Sequence, residues 1–550
     1  MPAIIAAAVP RRAVRPAGVR HDIRQHHHRS PAARSPPHAA RPAHADTVHQ
    51  VSSHTAAANA DDLPEQLRIR RAKYDRLMAD ADRAPFPVTV SRTHSLAEIR
   101  EQFPELAPDT RTGLTVSVTG RVIFVRNTGK LCFATLRENG VELQAMLSAD
   151  RVGDEALADW KADVDLGDLV QITGEVISSR RGELSVMADS WRMTAKALRP
   201  LPVAHRPMSE ESRVRHRYVD LIVRPEARRI VLMRAQVLGS LRSTLAERGY
   251  IEVETPILQS VHGGAAARPF HTHLNAFDQP MSLRIAHELY LKRALVGGID
   301  RVFEIGRTFR NEGIDSTHSA EFTMLEAYEA YGDYRSMAEL TRALILDAAT
   351  AVGVETPCAA DGTDIDLAAE WRWAGVYDLV SAAIGESVTP DDGAKRLHSL
   401  AEAANVAVRP DSDAGAIVLE MYEKLVEHTL IQPTFVCDYP RSVRPLARSH
   451  RTDPRLAEAW DLVIGGVELA PGYSELADPV EQRRLLTEQS LAAAAGDPEA
   501  MQLDEDFLQA QEYGMPPAGG MGLGVDRLLC LFTGRGIRET ILFPLLKPLP

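Results

Sequence analysis

RVFEIGRTFRNEGIDSTHSAEFTMLEAY, residues Arg301–Tyr328, decides the fold. Two runs rich in aromatic and β-branched residues flank a polar loop, which predicts a pair of β-strands. Counting by twos puts Glu304, Thr308, Arg310 and Glu312 on one face, and Phe322, Met324, Glu326 and Tyr328 on another. Ordinary core strands do not carry Arg and Glu beside Phe and Tyr, because unpaired buried charge is too unfavourable. The hairpin therefore reads as a pocket wall. It offers an arginine for a phosphate, an aromatic plate for a base, and carboxylates for a cationic substrate. A surface hairpin laced with ion pairs is the weaker alternative.

Outward from this stretch, size and composition set the frame. A chain of 550 residues is too long for one core, so two or more domains are expected. With 45% hydrophobic and 25% charged residues, its composition is that of a globular protein. No run approaches the 18 or so apolar residues of a membrane span, so no membrane partner is expected. Cys132, Cys358, Cys437 and Cys530 are scattered without CxxC spacing, which predicts reduced thiols in a cytoplasmic protein. The net charge of −12 lacks the broad basic footprint of a nucleic-acid binder. Any RNA would meet local basic patches on an acidic body.

Residues 1–60, rich in Ala, Arg, Pro and His, bury too little apolar surface to fold and are expected to be a disordered tail. They read either as a transit peptide or as an over-extended translation start. In the 61–110 extension, Leu63–Asp82 has helical spacing, and its Arg68, Arg70, Arg71 and Lys73 suit a solvated face or an RNA contact equally. From Thr115 to about Met193 the pattern is strand-like. Three strands, a short helix at Asp154–Ala162 and two further strands predict a five-stranded OB barrel within 111–200. Pro200–Pro207 reads as a rigid linker. Helices over Ser209–Asp220 and Pro225–Glu247 follow, then strands alternating with helices, as in an antiparallel sheet backed by helices. Residues 336–431 have helical periodicity and read as an inserted helical layer. The fold class is thus α+β, a five-stranded OB barrel followed by a helix-flanked antiparallel sheet over 201–550.

FRNEG, then Thr317-His318, then EFTMLEAY resembles motif 2 of the class II aminoacyl-tRNA synthetases in its lysine-specific version. GYIEVETPIL (Gly249–Leu258) resembles motif 1, and GMGLGVDRLLCLF (Gly520–Phe532) resembles motif 3. Between them, GGAAARPF, RIAHELYLKR, LIQPTF, PLAR and GYSELADP look like lysyl-tRNA synthetase blocks in the expected order. The resemblance covers roughly residues 63–547. WDLV, SELADPVEQRR and ILFPLLKP are similar to the synthetase half of bacterial enzymes that also lysinylate phosphatidylglycerol.

The resemblance implies ATP-dependent activation of L-lysine to lysyl-adenylate, then transfer to the 3′ end of tRNA-Lys. Arg310 would hold the α-phosphate and the lysine carboxylate, and Arg527 the γ-phosphate and adenine face. Glu312 would accept from the adenine amino group, Phe322 would stack on the ring, and His318 would reach the outer phosphates. Asp461 and Glu468 are the implied Mg²⁺ ligands. Glu326 and Glu475 would meet the lysine side-chain ammonium, Tyr328 and Tyr473 would wall its stem, and Glu288 with the Gly264 backbone would take the α-amino group. In the barrel, Arg121, Phe133 and Gln144 would read the anticodon, and 201–550 would be the catalytic domain of a homodimer with Pro256 at the interface. Two departures stand out. Pro471 replaces the usual Asn or another residue able to hydrogen-bond near the ε-amine, and Ser319-Ala320 replaces Asn-Pro in the motif 2 loop. A paralogue that lysylates another acceptor, or an RNA-binding module with a decayed site, are the competing readings.

Overall fold

The computed structural model describes residues 64–202, 207–359, 361–494, 496 and 500–548. Residues 1–60, read above as a disordered tail, and the middle of the Pro200–Pro207 linker lie outside the described residues.

Strands β1 (Arg111–Thr128), β2 (Leu131–Glu138), β3 (Val141–Ser148), β4 (Leu169–Ser178) and β5 (Leu184–Ala195) close into a barrel in the order β1-β2-β3-β5-β4. Alternation supplies its core. Val116 and Val118, Cys132, Ala134 and Leu136, and Leu143, Ala145 and Leu147 all point inward. Asn139 and Gly140 both have positive φ, the two-residue turn geometry that matches strand twist between β2 and β3. The helix Asp154–Asp163 fills the step from β3 to β4, where Trp160 meets Trp191 edge-on at 5.2 Å. The five-stranded barrel expected from the sequence is the one observed.

The leading helix runs Glu65–Met78, and part of its basic face has partners within the fold. Arg70 is buried and donates to the carbonyls of Ala197 (2.8 Å) and Leu166 (2.9 Å), while Lys73 pairs with Asp165 at 2.8 Å. Part of that face is therefore clamped to the barrel. Arg68 and Arg71 remain exposed.

The second half is built on an eight-stranded sheet. Its strands are β6 (Ile251–Glu252), β10 (Arg301–Phe309), β11 (Glu321–Ala330), β12 (Arg372–Gly375), β13 (Thr434–Cys437), β14 (Ala459–Ile464), β15 (Val467–Ser474) and β16 (Ala518–Gly524), ordered β12-β13-β14-β15-β16-β11-β10-β6. A small sheet of β7 (Leu258–Gln259), β9 (Gln279–Leu283) and β8 (His271–Leu274) stands beside it. The large sheet is antiparallel except for the edge pairs β6–β10 and β12–β13. Helices Pro225–Glu247, Tyr334–Val352 and Val525–Thr533 pack on one face, burying Leu241, Leu344 and Leu528 against Leu325, Ala327 and Leu523. Side chains alternate along a strand, so Glu326 and Tyr328 turn to the opposite face. The function-bearing surface is that second face.

The stretch 336–431 is not one helical layer. The helix Tyr334–Val352 belongs under the sheet, and β12 adds an edge strand. Val376–Ile384, Ala394–Ala403 and Ala414–Leu425 pack around Val380, Leu397 and Ile417, and against Val436, Ala459 and Val463 of the sheet. A four-residue strand is too short to leave an alternating signature, and periodicity cannot name the surface a helix packs on.

Candidate active site

The β10–β11 register sets Glu304 opposite Glu326, Gly306 opposite Met324 and Thr308 opposite Phe322. Directly opposed residues project to the same side, so the two sets assigned to different faces share one. Glu304 is structural: it pairs with Arg284 at 2.5 Å and accepts from the Thr255 amide (3.0 Å) and hydroxyl (2.6 Å). Arg310 lies just past β10, where its amide still donates to Ala320 at 3.0 Å and its guanidinium sits 5.3 Å from the Phe322 ring centre. Glu312 follows, accepting from the Arg268 amide at 3.2 Å.

These side chains line a cleft of about 790 Å³, open mouth included, with His318, Met324, Glu468, Pro471, Gly524 and Arg527. Arg527 opens the helix Val525–Thr533, where a cation opposes the helix dipole. It is held instead by the Glu468 carbonyl at 2.6 Å, and its Nη2 lies 3.3 Å from His318 Nε2. The loop carrying His318 is not slack despite Ser319-Ala320. Asp315 accepts from the amides of Thr317 (2.7 Å) and His318 (2.8 Å), and Ser316 accepts from the Ile537 amide at 2.9 Å. Although burial opposes it, these donors hold the Asp315 carboxyl far below its usual range.

Glu468 faces this cleft with 40% of its side chain exposed, which suits one carboxylate ligand beside phosphate oxygens. Asp461, the other expected ligand, already has a partner. Its carboxylate is ion-paired with Arg444, and burial pushes its pKa up to about 6 against that pairing. No group of three or more potential metal ligands occurs among the described residues.

The deeper end of the face gathers Glu288, Glu326 and Glu475, all buried. Glu326 accepts from the His287 amide (2.9 Å) and Tyr328 hydroxyl (3.1 Å), with His287 Nδ1 at 3.1 Å. Burial pushes the Glu326 pKa up, but these partners bring it below the ordinary carboxylate value. Lys292, fully buried, pairs with Glu288 at 2.6 Å and with Glu475. Burial nevertheless raises Glu288 and pushes Glu475 up to about 8, while neither Glu475 oxygen accepts a well-aligned hydrogen bond. Three carboxylates are thus buried together, two of them paired with Lys292. Tyr328 is buried beside them, and Tyr473 stands opposite Gly520 across β15–β16. Gly264, at φ +89, leaves no room for a side chain: a Cβ would lie 3.0 Å from those of both Ala286 and Glu288. Gly522 joins the two ends, since its Cβ would lie 3.7 Å from Pro471 and 3.8 Å from Glu326.

On the barrel, Phe133 and Gln144 line one groove with Arg126, Arg111, Arg151, Arg180 and Arg181. Arg126 stacks on Phe133 at 4.7 Å, and the Gln144 amide donates to Ser185 at 2.8 Å. Arg121 is elsewhere, donating to the Gly167 carbonyl at 2.7 Å. It ties a turn rather than facing the groove. Sequence reasoning missed Arg126 and Lys292. Alternation along β1 could have flagged the arginine, and the spacing of four from Glu288 the lysine.

The class II tRNA synthetases (D, K and N) match residues 209–547, and the OB-fold nucleic acid binding domain matches residues 116–194. The lysine–tRNA ligase of Mycolicibacterium gilvum is 57% identical over 90% of this chain and 99% of its own length. The chain belongs to the lysine–tRNA ligase family. A Mycobacterium tuberculosis lysine–tRNA ligase is 55% identical over 90% of this chain and 99% of its own length. The lysylphosphatidylglycerol biosynthesis bifunctional protein LysX of Mycobacterium avium is 51% identical over 88% of this chain but only 41% of that protein. Among the described residues of this lysine–tRNA ligase family member, no helix is long and apolar enough to cross a membrane. Its motif 1 leaves Ile251, Pro256, Ile257 and Leu258 exposed.

Proposed function

We propose that this chain ligates L-lysine to tRNA-Lys in two steps. An oxygen of the lysine carboxylate attacks the α-phosphorus of ATP, the bond to the β-phosphate breaks, and pyrophosphate leaves. The terminal tRNA hydroxyl then attacks the lysyl carbonyl and AMP leaves, the hydroxyl proton passing to a phosphate oxygen. Neither step requires an enzyme nucleophile; both require alignment and charge neutralisation.

Arg310 stands where cleft and buried carboxylates meet, so its fork spans the attacking carboxylate and the α-phosphate. Phe322 supplies the plate for adenine and Glu312 the acceptor for its amino group. Arg527 and His318 meet the outer phosphates. Mg²⁺, carried in with ATP and held by Glu468, would neutralise phosphate charge. Glu326 and Glu475 take the ε-ammonium, Glu288 and the Gly264 carbonyl the α-ammonium, and Tyr328 and Tyr473 flank the stem. Pro471 adds no hydrogen bond there, so its contribution is shape alone. Phe133 and Gln144 read the anticodon, with Arg126 and its neighbours binding the RNA backbone. Exposed Ile251, Ile257 and Leu258 around Pro256 suit burial against a second copy. Four free cysteines among the described residues suit a cytoplasmic setting.

One observation carries the reading: Glu288, Glu326 and Glu475 are buried together and the resident ammonium of Lys292 pairs with only two of them, an acidic pocket that the two ammonium groups of lysine would complement. The test is lysine-dependent ATP–pyrophosphate exchange followed by charging of tRNA-Lys. Exchange without charging would point to another acceptor, and neither activity would point to a non-catalytic RNA-binding module.

A further inference from the structure

The carboxylate that family resemblance assigns to a metal already has a cation, supplied by the chain itself. Asp461 sits opposite Pro471, on the sheet face that also carries Tyr473 and Glu326. Its Oδ2 is ion-paired with Nη2 of Arg444. Arg444 arrives there by backbone dictate. It ends the turn Arg441–Val443 and precedes Pro445, which excludes helical backbone and leaves it at φ −129 and ψ 69. Its carbonyl accepts from Arg441 Nη1 at 2.7 Å, fixing the turn from which the side chain springs.

The guanidinium lies 4.2 Å from the ring centre of Tyr439, a cation–π contact inside the fold. Only 19% of the Arg444 side chain and 10% of the Asp461 side chain are exposed. Glu468, the other implied metal ligand, is close enough to act on the same guanidinium. A guanidinium does not deprotonate in proteins, so the positive charge beside Asp461 is permanent. A magnesium ion on Asp461 would need a carboxylate oxygen within about 2.1 Å. Asp461 Oδ1 is buried without a hydrogen-bond partner, but an ion on it would have to enter beside a fixed positive charge that repels it.

We infer that Arg444 replaces a divalent ion beside Asp461, so that metal enters the phosphate end of the cleft through Glu468 alone. Asp461 becomes an anchor for a built-in cation instead of a metal ligand. Arg444 Nε, buried without a protein partner, is left as a donor for a phosphate oxygen. The inference rests on the reading of the cleft as a nucleotide site.

Counting bound Mn²⁺ by electron paramagnetic resonance tests it, using the full chain with a non-hydrolysable ATP analogue. Asp461→Asn is expected to bind as many ions per chain as the unmodified protein. Arg444→Lys should keep that count, and Arg444→Ser should gain one ion, lost again when Asp461→Asn is added. Loss of an ion in Asp461→Asn alone, or no gain in an Arg444→Ser protein that still binds the nucleotide, overturns the inference. Glu468→Gln supplies the control. Should it retain every ion, the nucleotide-site reading itself falls.

Discussion

A β-carbon on Gly520 would stand 2.0 Å from Oε1 of Glu475. The glycine of motif 3 is therefore what admits the carboxylate just past the neighbouring strand, and the Tyr328 ring beside it. Gly520→Ala should push Glu475 aside. Overpacking of this kind costs about 1–3 kcal/mol, or about 5–150-fold if expressed in affinity. The expected outcome is a lysine KM raised by that factor with nucleotide binding retained. Calorimetric titration with each ligand separately checks it, and equal loss of both would refute it.

Proton coupling follows from the same carboxylate. Burial pushes Glu475 up to about 8 despite Lys292, so below that pH the empty site holds it largely protonated. The lysine side chain keeps its charge to about pH 10, and pairing requires the ionised carboxylate. Each binding event below pH 8 should release a proton. Lysine KM is expected to fall about tenfold per unit as pH rises toward 8, then level off. A flat KM profile between pH 6 and 9 would sink this expectation.

Lys292 neutralises part of an otherwise all-acidic pocket. Removing one partner of a buried ion network costs about 3–5 kcal/mol, because the remaining charges stay buried. Lys292→Met should lower the unfolding midpoint at pH 7.5 and recover part of the loss at pH 6, where Glu475 is more fully protonated and Glu288, also raised, moves in the same direction. Their raised pKa values fix the sign, since low pH favours the folded form in which they are neutral. Thermal melts at the two pH values decide it.

Arg310 and Phe133 should fail in different assays. Arg310→Ala is expected to remove pyrophosphate exchange. Phe133→Ala removes a base-stacking surface worth about 1–3 kcal/mol and should raise the tRNA KM about 5–150-fold. Equal damage to exchange by both variants would contradict the division of labour between barrel and sheet.

Much of this was legible in the sequence. The barrel announced itself through alternation and an Asn-Gly turn, and Glu326, Tyr328 and Arg310 through polar residues on an otherwise apolar hairpin. What periodicity could not supply was register. Glu304 and Glu326 have the same spacing signature, yet one is locked to Arg284 and Thr255 while the other stands among the buried carboxylates. The partner of a charge is set by distant chain, as Asp461 finding Arg444 seventeen residues away shows. Arg121 fell to the same limit: a strand arginine looks alike whether it faces a groove or ties a turn.

The resident ammonium of Lys292 has a consequence for fidelity. An uncharged competitor such as norleucine, which lacks the terminal nitrogen, would bring no ammonium to meet the buried Glu326 and Glu475. Sites built around a polar contact reject analogues lacking it by roughly 10⁴-fold or more. Discrimination against neutral side chains is thus written into the ground charge of the empty protein, before any substrate arrives.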